Sequence, residues 1–134
     1  MHIVPWETCV NAPITLTFRE DVLGRMNSNE INLLNKVEAM VLERQRPKGI
    51  WFTGDSLAAA ILIEPTLVTL SENYHCTVEV SGKYARGMMV VDRAFIEDKP
   101  SNCTIVEGVD LPLYERLIWA AGGPYYKDQD ILSL

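Results

Sequence analysis

Asp55 stands directly before an uncharged apolar run in the segment WFTGDSLAAAILIEP (51–65). A carboxylate at the start of a helix can accept backbone N–H bonds and face the positive end of the helix dipole. The same carboxylate could instead bind a hard cation such as calcium, which takes about six to eight oxygen ligands. Both interpretations stay open on this segment alone, and in the second Asp55 would form only one corner of a metal site.

Other residue types that carry chemistry are sparse. His2 and His75 are the only histidines, and no neighbouring residue orients either as an acid or a base, so His75 is interpreted as a partly buried side chain with a backbone partner. The sequence has an odd number of cysteines, Cys9, Cys76 and Cys103, and none of them has CxxC spacing. We therefore expect three reduced thiols packed as small hydrophobes, without a disulfide framework or a zinc site. No catalytic residue is assigned.

No established catalytic or phosphate-binding motif is present: the sequence lacks GxSxG, GxGxxG, HExxH and a Ser/His/Asp order. Four aromatic residues could stack on a base or a sugar, but their scatter favours core or surface anchors; they are Trp51, Trp119, Tyr125 and Tyr126. The substrate-binding residues therefore stay unknown.

Three helices are predicted from start and stop signals, and FREDVLGRM (18–26) is a candidate short helix ended by Gly24. The first covers 27–45, where Asn27 and Glu30 have capping-box spacing and an apolar stripe follows; the stripe is Ile31, Leu34, Val37 and Val41, with Leu33 and Met40 beside it. The second runs from Asp55 to Pro65. The third begins at Asp110 and closes at Gly122.

Strand signals alternate with these helices. HIVPW opens the chain with strand character, residues 76–92 predict two strands around a turn, and residues 103–108 predict a further short strand. We therefore predict an α/β fold, a mixed sheet with flanking helices.

Size and charge narrow the class of protein. A chain of 134 residues predicts one domain. A net charge of −6 and a pI near 4.8 argue against nucleic acid and anionic membranes as partners. The first residues do not predict a signal peptide, and no apolar run reaches the roughly 20 residues that would span a bilayer, so a cytoplasmic location is expected.

Three stretches in combination carry a resemblance to a known family. HIVPWETCVNAPIT, WFTGDSLAAAILIEP and VEVSGKYARGMMVVD resemble, in order and approximate spacing, the C-terminal part of the inosine/uridine-preferring nucleoside hydrolases, in particular the eukaryotic uridine-nucleosidase-like branch. The resemblance extends to about Gly122. It implies the second half of a nucleoside-hydrolase fold, a single partial domain over 1–134 with a C-terminal extension at 123–134.

The resemblance also implies an activity. Members of the family cleave the N-glycosidic bond of purine and pyrimidine ribonucleosides to ribose and free base, with a calcium ion that binds the ribose and activates a water. Asp55 matches a late aspartate that completes the metal shell in the family. It is the only metal ligand that we carry over to this chain.

Two departures from the family pattern shape the functional expectation. The N-terminal DxDxxxDD-type motif, which supplies the base and most metal ligands in the family, is absent, and Gly54 occupies the position of a histidine proposed to protonate the leaving base. We expect a hydrolase-family chain that is inactive alone; the alternative is a non-catalytic binding or interaction module derived from the same fold. An open sheet edge at HIVPW would favour a homo-oligomer.

Overall fold

The computed structural model describes residues 1–123. Its α-helices are α1 Trp6–Asn11, α2 Asn29–Val37, α3 Ala39–Gln45, α4 Gly54–Ile63 and α5 Leu111–Gly122. Its strands are β1 His2–Ile3, β2 Ile14–Thr15, β3 Ile50–Trp51, β4 Val68–Tyr74, β5 Cys76–Val78, β6 Met89–Val91 and β7 Cys103–Val109. Of the predicted C-terminal extension at 123–134, the structure describes only residue 123.

The largest sheet in the described residues is mixed and has three strands. Its order is β1-β7-β4, with β1 parallel and β4 antiparallel to β7. The predicted mixed sheet with flanking helices is therefore confirmed. Strand β4 was not predicted, because its side chains alternate weakly between polar and apolar and five of its seven residues are exposed.

The predicted hairpin forms, but as a separate sheet. Strands β5 and β6 pair antiparallel, with Cys76 opposite Val91 and Val78 opposite Met89. Within the described residues this ribbon has no backbone pairing with the three-stranded sheet. Strands β2 and β3 form a third, two-stranded sheet that leads into α4.

Two helices begin and end close to the predicted residues. In α5 the Asp110 carboxylate accepts a hydrogen bond from the Leu113 backbone N–H at 2.9 Å, and Pro112 occupies the first turn, where its missing N–H costs nothing. Helix α4 ends at Ile63, before Pro65. Its apolar run is not fully buried: Leu57 and Ala60 face the core, whereas Leu62 and Ile63 are exposed.

The long predicted helix is corrected in two respects. Its cap is Ser28 and not Asn27, because the Ser28 hydroxyl accepts from the Ile31 N–H and also donates to the Gly122 carbonyl at 2.7 Å. It is divided into α2 and α3 at Glu38. Only part of the predicted stripe packs inward: Ile31 is buried and Leu34 is half-buried, whereas Leu33, Val37, Met40 and Val41 are exposed.

The main core lies between the helices and strands β2 and β3. Its buried members include Ile14, Leu23, Trp51, Leu57 and Tyr114. A second, smaller cluster of Tyr74, Cys103 and Ile105 lies under the β5–β6 ribbon. No helix in residues 1–123 combines the length and the apolarity that a membrane crossing would require.

Candidate functional site

Asp55 occupies the first turn of α4, where its side chain is exposed. The N-cap of this helix is Thr53, so the interpretation of Asp55 as the capping residue is wrong. Asp55 nevertheless lies where a negative charge is favoured by the helix dipole. Its carboxylate is therefore presented to solvent at the positive end of a ten-residue helix.

Helix α1 borders the same end of α4. A methyl group built on Gly54 would meet only the Cys9 sulfur, at 4.0 Å. Burial raises the pKa of the Cys9 thiol, and the negative charges of Asp55 and Glu7 raise it further. Glu7 lies in the first turn of α1 and is exposed, so one carboxylate from each of the two helices contributes to the negative potential at this thiol.

Glu7 was missed in the sequence, although a signal for it exists. It follows β1 by four residues, and Asp55 follows β3 by the same interval. Both acids thus lie in the first turn of a helix that directly follows a short strand. The resemblance drew attention to Asp55 alone, because nothing in the sequence indicates that α1 and α4 are neighbours.

The start of α4 is fixed by a buried hydrogen bond. The hydroxyls of Thr53 and Tyr114 are directly bonded, which ties the N-cap of α4 to α5. Burial raises the pKa of Tyr114 to about 12, so the phenol is neutral across the physiological range. In α1, the Thr8 hydroxyl donates to the Val106 carbonyl at 2.6 Å, which anchors this helix to β7.

A buried arginine fixes the strand that leads into the site. Arg19 is completely inaccessible, and its Nε donates to Glu38 Oε2 at 3.0 Å while its Nη1 donates to Asn35 Oδ1 at 2.9 Å. Its guanidinium lies 5.2 Å from the centre of the Trp51 ring. The Trp51 indole N–H donates to the other Glu38 oxygen at 3.3 Å. These groups hold the end of β3, four residues before Asp55.

The aromatic residues near Asp55 differ from those singled out in the sequence. Trp51 is buried in the core, where it borders a cavity between α2, α4 and α5; Tyr125 and Tyr126 lie outside the described residues. Trp6 and Phe52 instead form a tilted pair with ring centres 6.2 Å apart, and Trp6 is 64% exposed. Lys48 lies 6.0 Å from the Phe52 ring.

A complete calcium site is not supplied by residues 1–123. No group of three or more His, Cys, Asp or Glu side chains converges in this part of the chain. One carboxylate offers two of the roughly six to eight oxygens that calcium takes. The donor set around Asp55 therefore does not fit a bound calcium ion by itself.

Neither histidine forms a hydrogen bond or an ion pair with Asp55 among the described residues. The His75 ring nitrogen Nδ1 contacts the Pro100 carbonyl at 3.0 Å, which confirms the expected backbone partner. His2 is exposed in the edge strand β1. Gly54, at the position where the family resemblance implies a histidine, has space around its Cα for a side chain.

Comparison with known proteins identifies relatives of this chain. Residues 1–116 match the inosine-uridine preferring nucleoside hydrolase family. Among solved structures, an inosine-guanosine nucleoside hydrolase superposes with a TM-score of 0.77 at 23% identity, covering 88% of this chain and 37% of that chain. A purine-preferring ribonucleoside hydrolase from Gardnerella vaginalis superposes with a TM-score of 0.71 at 19% identity, covering 90% of this chain and 39% of its own.

These likenesses establish the fold and the extent of the match. The chain spans less than two fifths of the solved hydrolases that it resembles. No curated protein matches it by sequence.

Proposed function

Because the chain belongs to the inosine-uridine preferring nucleoside hydrolase family, we propose that it takes part in hydrolysis of the N-glycosidic bond of ribonucleosides, with Asp55 as one carboxylate ligand of a calcium ion. The products would be ribose and a free base. The observation that carries this proposal is the exposed Asp55 carboxylate in the first turn of α4, within the segment matched to the family.

The surroundings of Asp55 support a binding role over a structural one. A different residue, Thr53, occupies the cap, and the Thr53 hydroxyl is engaged with Tyr114. Thr53 makes no side-chain capping bond, and within residues 1–123 the Asp55 carboxylate accepts no hydrogen bond, so both of its oxygens are free for a ligand. The Thr53–Tyr114 bond fixes the start of α4 against α5, so the backbone position of Asp55 is set without use of its carboxylate oxygens, which favours a ligand role.

The remaining ligands are proposed to come from polypeptide outside these 134 residues. One aspartate cannot hold calcium tightly. We therefore expect the isolated chain to bind calcium weakly and to release no base from nucleosides. Gly54 carries no proton donor, so protonation of the leaving base in a complete enzyme would fall to another residue.

The ligand role of Asp55 is tested by NMR with a paramagnetic calcium substitute. Gadolinium or manganese ions, added to the ¹⁵N-labelled chain, should broaden the amides of Gly54, Asp55 and Ser56 before other surface amides. Asp55→Asn should remove this broadening. Asp98→Asn is the matched control, because Asp98 is also exposed and has a positive φ that asparagine tolerates.

Two outcomes would count against the proposal. Broadening at Asp55 that is no stronger than broadening around Asp98 would remove the evidence for a ligand role and favour the non-catalytic interaction module. A large rise in melting temperature at micromolar calcium would show a tight site within the chain, contrary to the proposal that further ligands lie elsewhere.

A further inference from the structure

Two cysteines with no part in the site above lie in direct contact. The Cys103 thiol points at Cys76 with 2.9 Å between the two sulfur atoms, and both cysteines are free. A disulfide bond is about 2.05 Å long, so the sulfurs need to approach by less than 1 Å. Cys9, the third cysteine, is buried in the separate main core.

The backbone around the pair is held by hydrogen bonds that do not involve the thiols. The Asn102 side chain accepts from the Cys76 N–H at 2.9 Å and donates to the Cys76 carbonyl at 2.8 Å. Cys103 lies opposite Tyr74 in the β4–β7 register. The two cysteines are thus positioned by neighbouring residues on both sides, and a bond between them requires no new backbone contacts.

We propose that Cys76 and Cys103 form a reversible disulfide that fastens the β5–β6 ribbon to the three-stranded sheet, with a low-molecular-weight disulfide such as oxidised glutathione as the oxidant. The ribbon has no strand pairing with that sheet in the described part of the chain. Besides the chain connection from β4 to β5, its attachment rests on the two Asn102 side-chain bonds to Cys76 and on apolar packing. A covalent bond would close the loop from 76 to 103.

The exchange proceeds in two balanced steps. The Cys76 thiolate attacks one sulfur of the oxidised compound, forming a mixed disulfide and releasing one small thiolate, which takes up a proton. Cys103 then loses its proton and attacks the Cys76 sulfur, forming the protein disulfide and releasing the second small thiol. Two protein thiols are oxidised by two electrons and one small disulfide is reduced to two thiols.

Accessibility sets the order of the two steps. Cys76 is half-buried and Cys103 is buried, so Cys76 meets the oxidant and Cys103 resolves the mixed disulfide. Burial and the neighbouring Cys103 raise the pKa of Cys76 to about 11, an effect that Arg93 partly offsets. Since the thiolate is the nucleophile, this raised pKa slows the first step at neutral pH.

The test compares native and unfolded protein in the Cys9→Ala variant, which leaves only the proposed pair. The variant is equilibrated with reduced and oxidised glutathione, with and without urea. Acid then stops thiol exchange, and the mass of the protein is measured by mass spectrometry. We expect a loss of two hydrogen atoms and a cross-linked peptide joining Cys76 to Cys103. The equilibrium constant for oxidation should be at least about tenfold higher in the native protein than in urea.

A second variant separates the two roles. Cys9→Ala/Cys103→Ala should stop at a glutathione adduct on Cys76, because no resolving thiol remains. The proposal is overturned if the Cys9→Ala chain keeps both thiols under native conditions. It is equally overturned if that chain accumulates an unresolved adduct, or if oxidation is no more favourable in the native protein than in urea.

Discussion

Replacement of Arg19 by methionine should destabilise the fold by about 3–5 kcal/mol, the usual cost of removing one partner from a buried ion pair. Arg19 has only 1% of its side chain exposed, and its partner Glu38 has 22%. Methionine keeps much of the volume of the side chain but leaves the Glu38 carboxylate without its cation. Since small domains are stable by about 5–15 kcal/mol, the loss would be a large fraction of the total.

The structure also indicates which second substitution should restore part of the stability lost in Arg19→Met. Glu38 accepts from the Trp51 indole as well as from Arg19. Adding Glu38→Gln to Arg19→Met removes the unpaired charge and retains an acceptor for Trp51. The double variant should therefore regain at least half of the lost stability, whereas Glu38→Gln alone should be destabilising because Arg19 would then be the unpaired buried charge.

Urea unfolding followed by circular dichroism measures these differences directly. The four proteins of the cycle give the coupling energy between the two residues. A loss below about 1 kcal/mol for Arg19→Met, within the range of exposed ion pairs, would refute the reasoning. So would a double variant that is no more stable than Arg19→Met.

Three further predictions concern packing, titration and association. Tyr114→Phe should cost about 1–3 kcal/mol by leaving the buried Thr53 hydroxyl unpaired. The raised pKa of Tyr114 predicts that the folded protein loses stability as the pH rises from the unfolded-state pKa of 10.0 to about 12. Tyr114→Phe should remove this loss. Urea unfolding at a series of pH values measures the loss of stability and its pH dependence. Gly122→Ala should destabilise the fold by about 1–3 kcal/mol, because the new methyl group would lie 2.7 Å from Leu23. Gly54→Ala should instead stabilise α4 by about 0.5 kcal/mol, because the nearest atom to its new methyl group would be 4.0 Å away. Light scattering should show self-association with rising concentration, through the unpaired edge of β1; a single monomeric species at millimolar protein would contradict this.

Local signals in the sequence predicted the elements with strong boundaries. Helix α5 has Asp110 at its start and glycine at its end, and β7 follows a polar loop, so both were found. Strand β4 was missed because it is an exposed edge strand whose alternation of apolar and polar residues stops after Leu70. The cap of α2 was misplaced by one residue, since Ser28 is selected by its tertiary bond to Gly122 as well as by its local one.

The candidate site was predictable only in part. Asp55 was found through the resemblance, but its neighbour Glu7 and the anchoring contact of Tyr114 with Thr53 depend on residues far apart in the chain. Burial of Arg19 could not be predicted either, because an arginine is normally exposed. The Cys76–Cys103 contact likewise arises only when β5 and β7 come together.

On our proposal, Asp55 is one ligand of a nucleoside-hydrolase site whose other members lie outside these 134 residues. The most direct measurement is the release of free base from inosine and uridine by the purified 134-residue chain in the presence of calcium. We predict no release above the uncatalysed background. Turnover by the wild-type chain that is abolished in Asp55→Asn and retained in Asp98→Asn would contradict the claim, because a complete site would then lie within these residues.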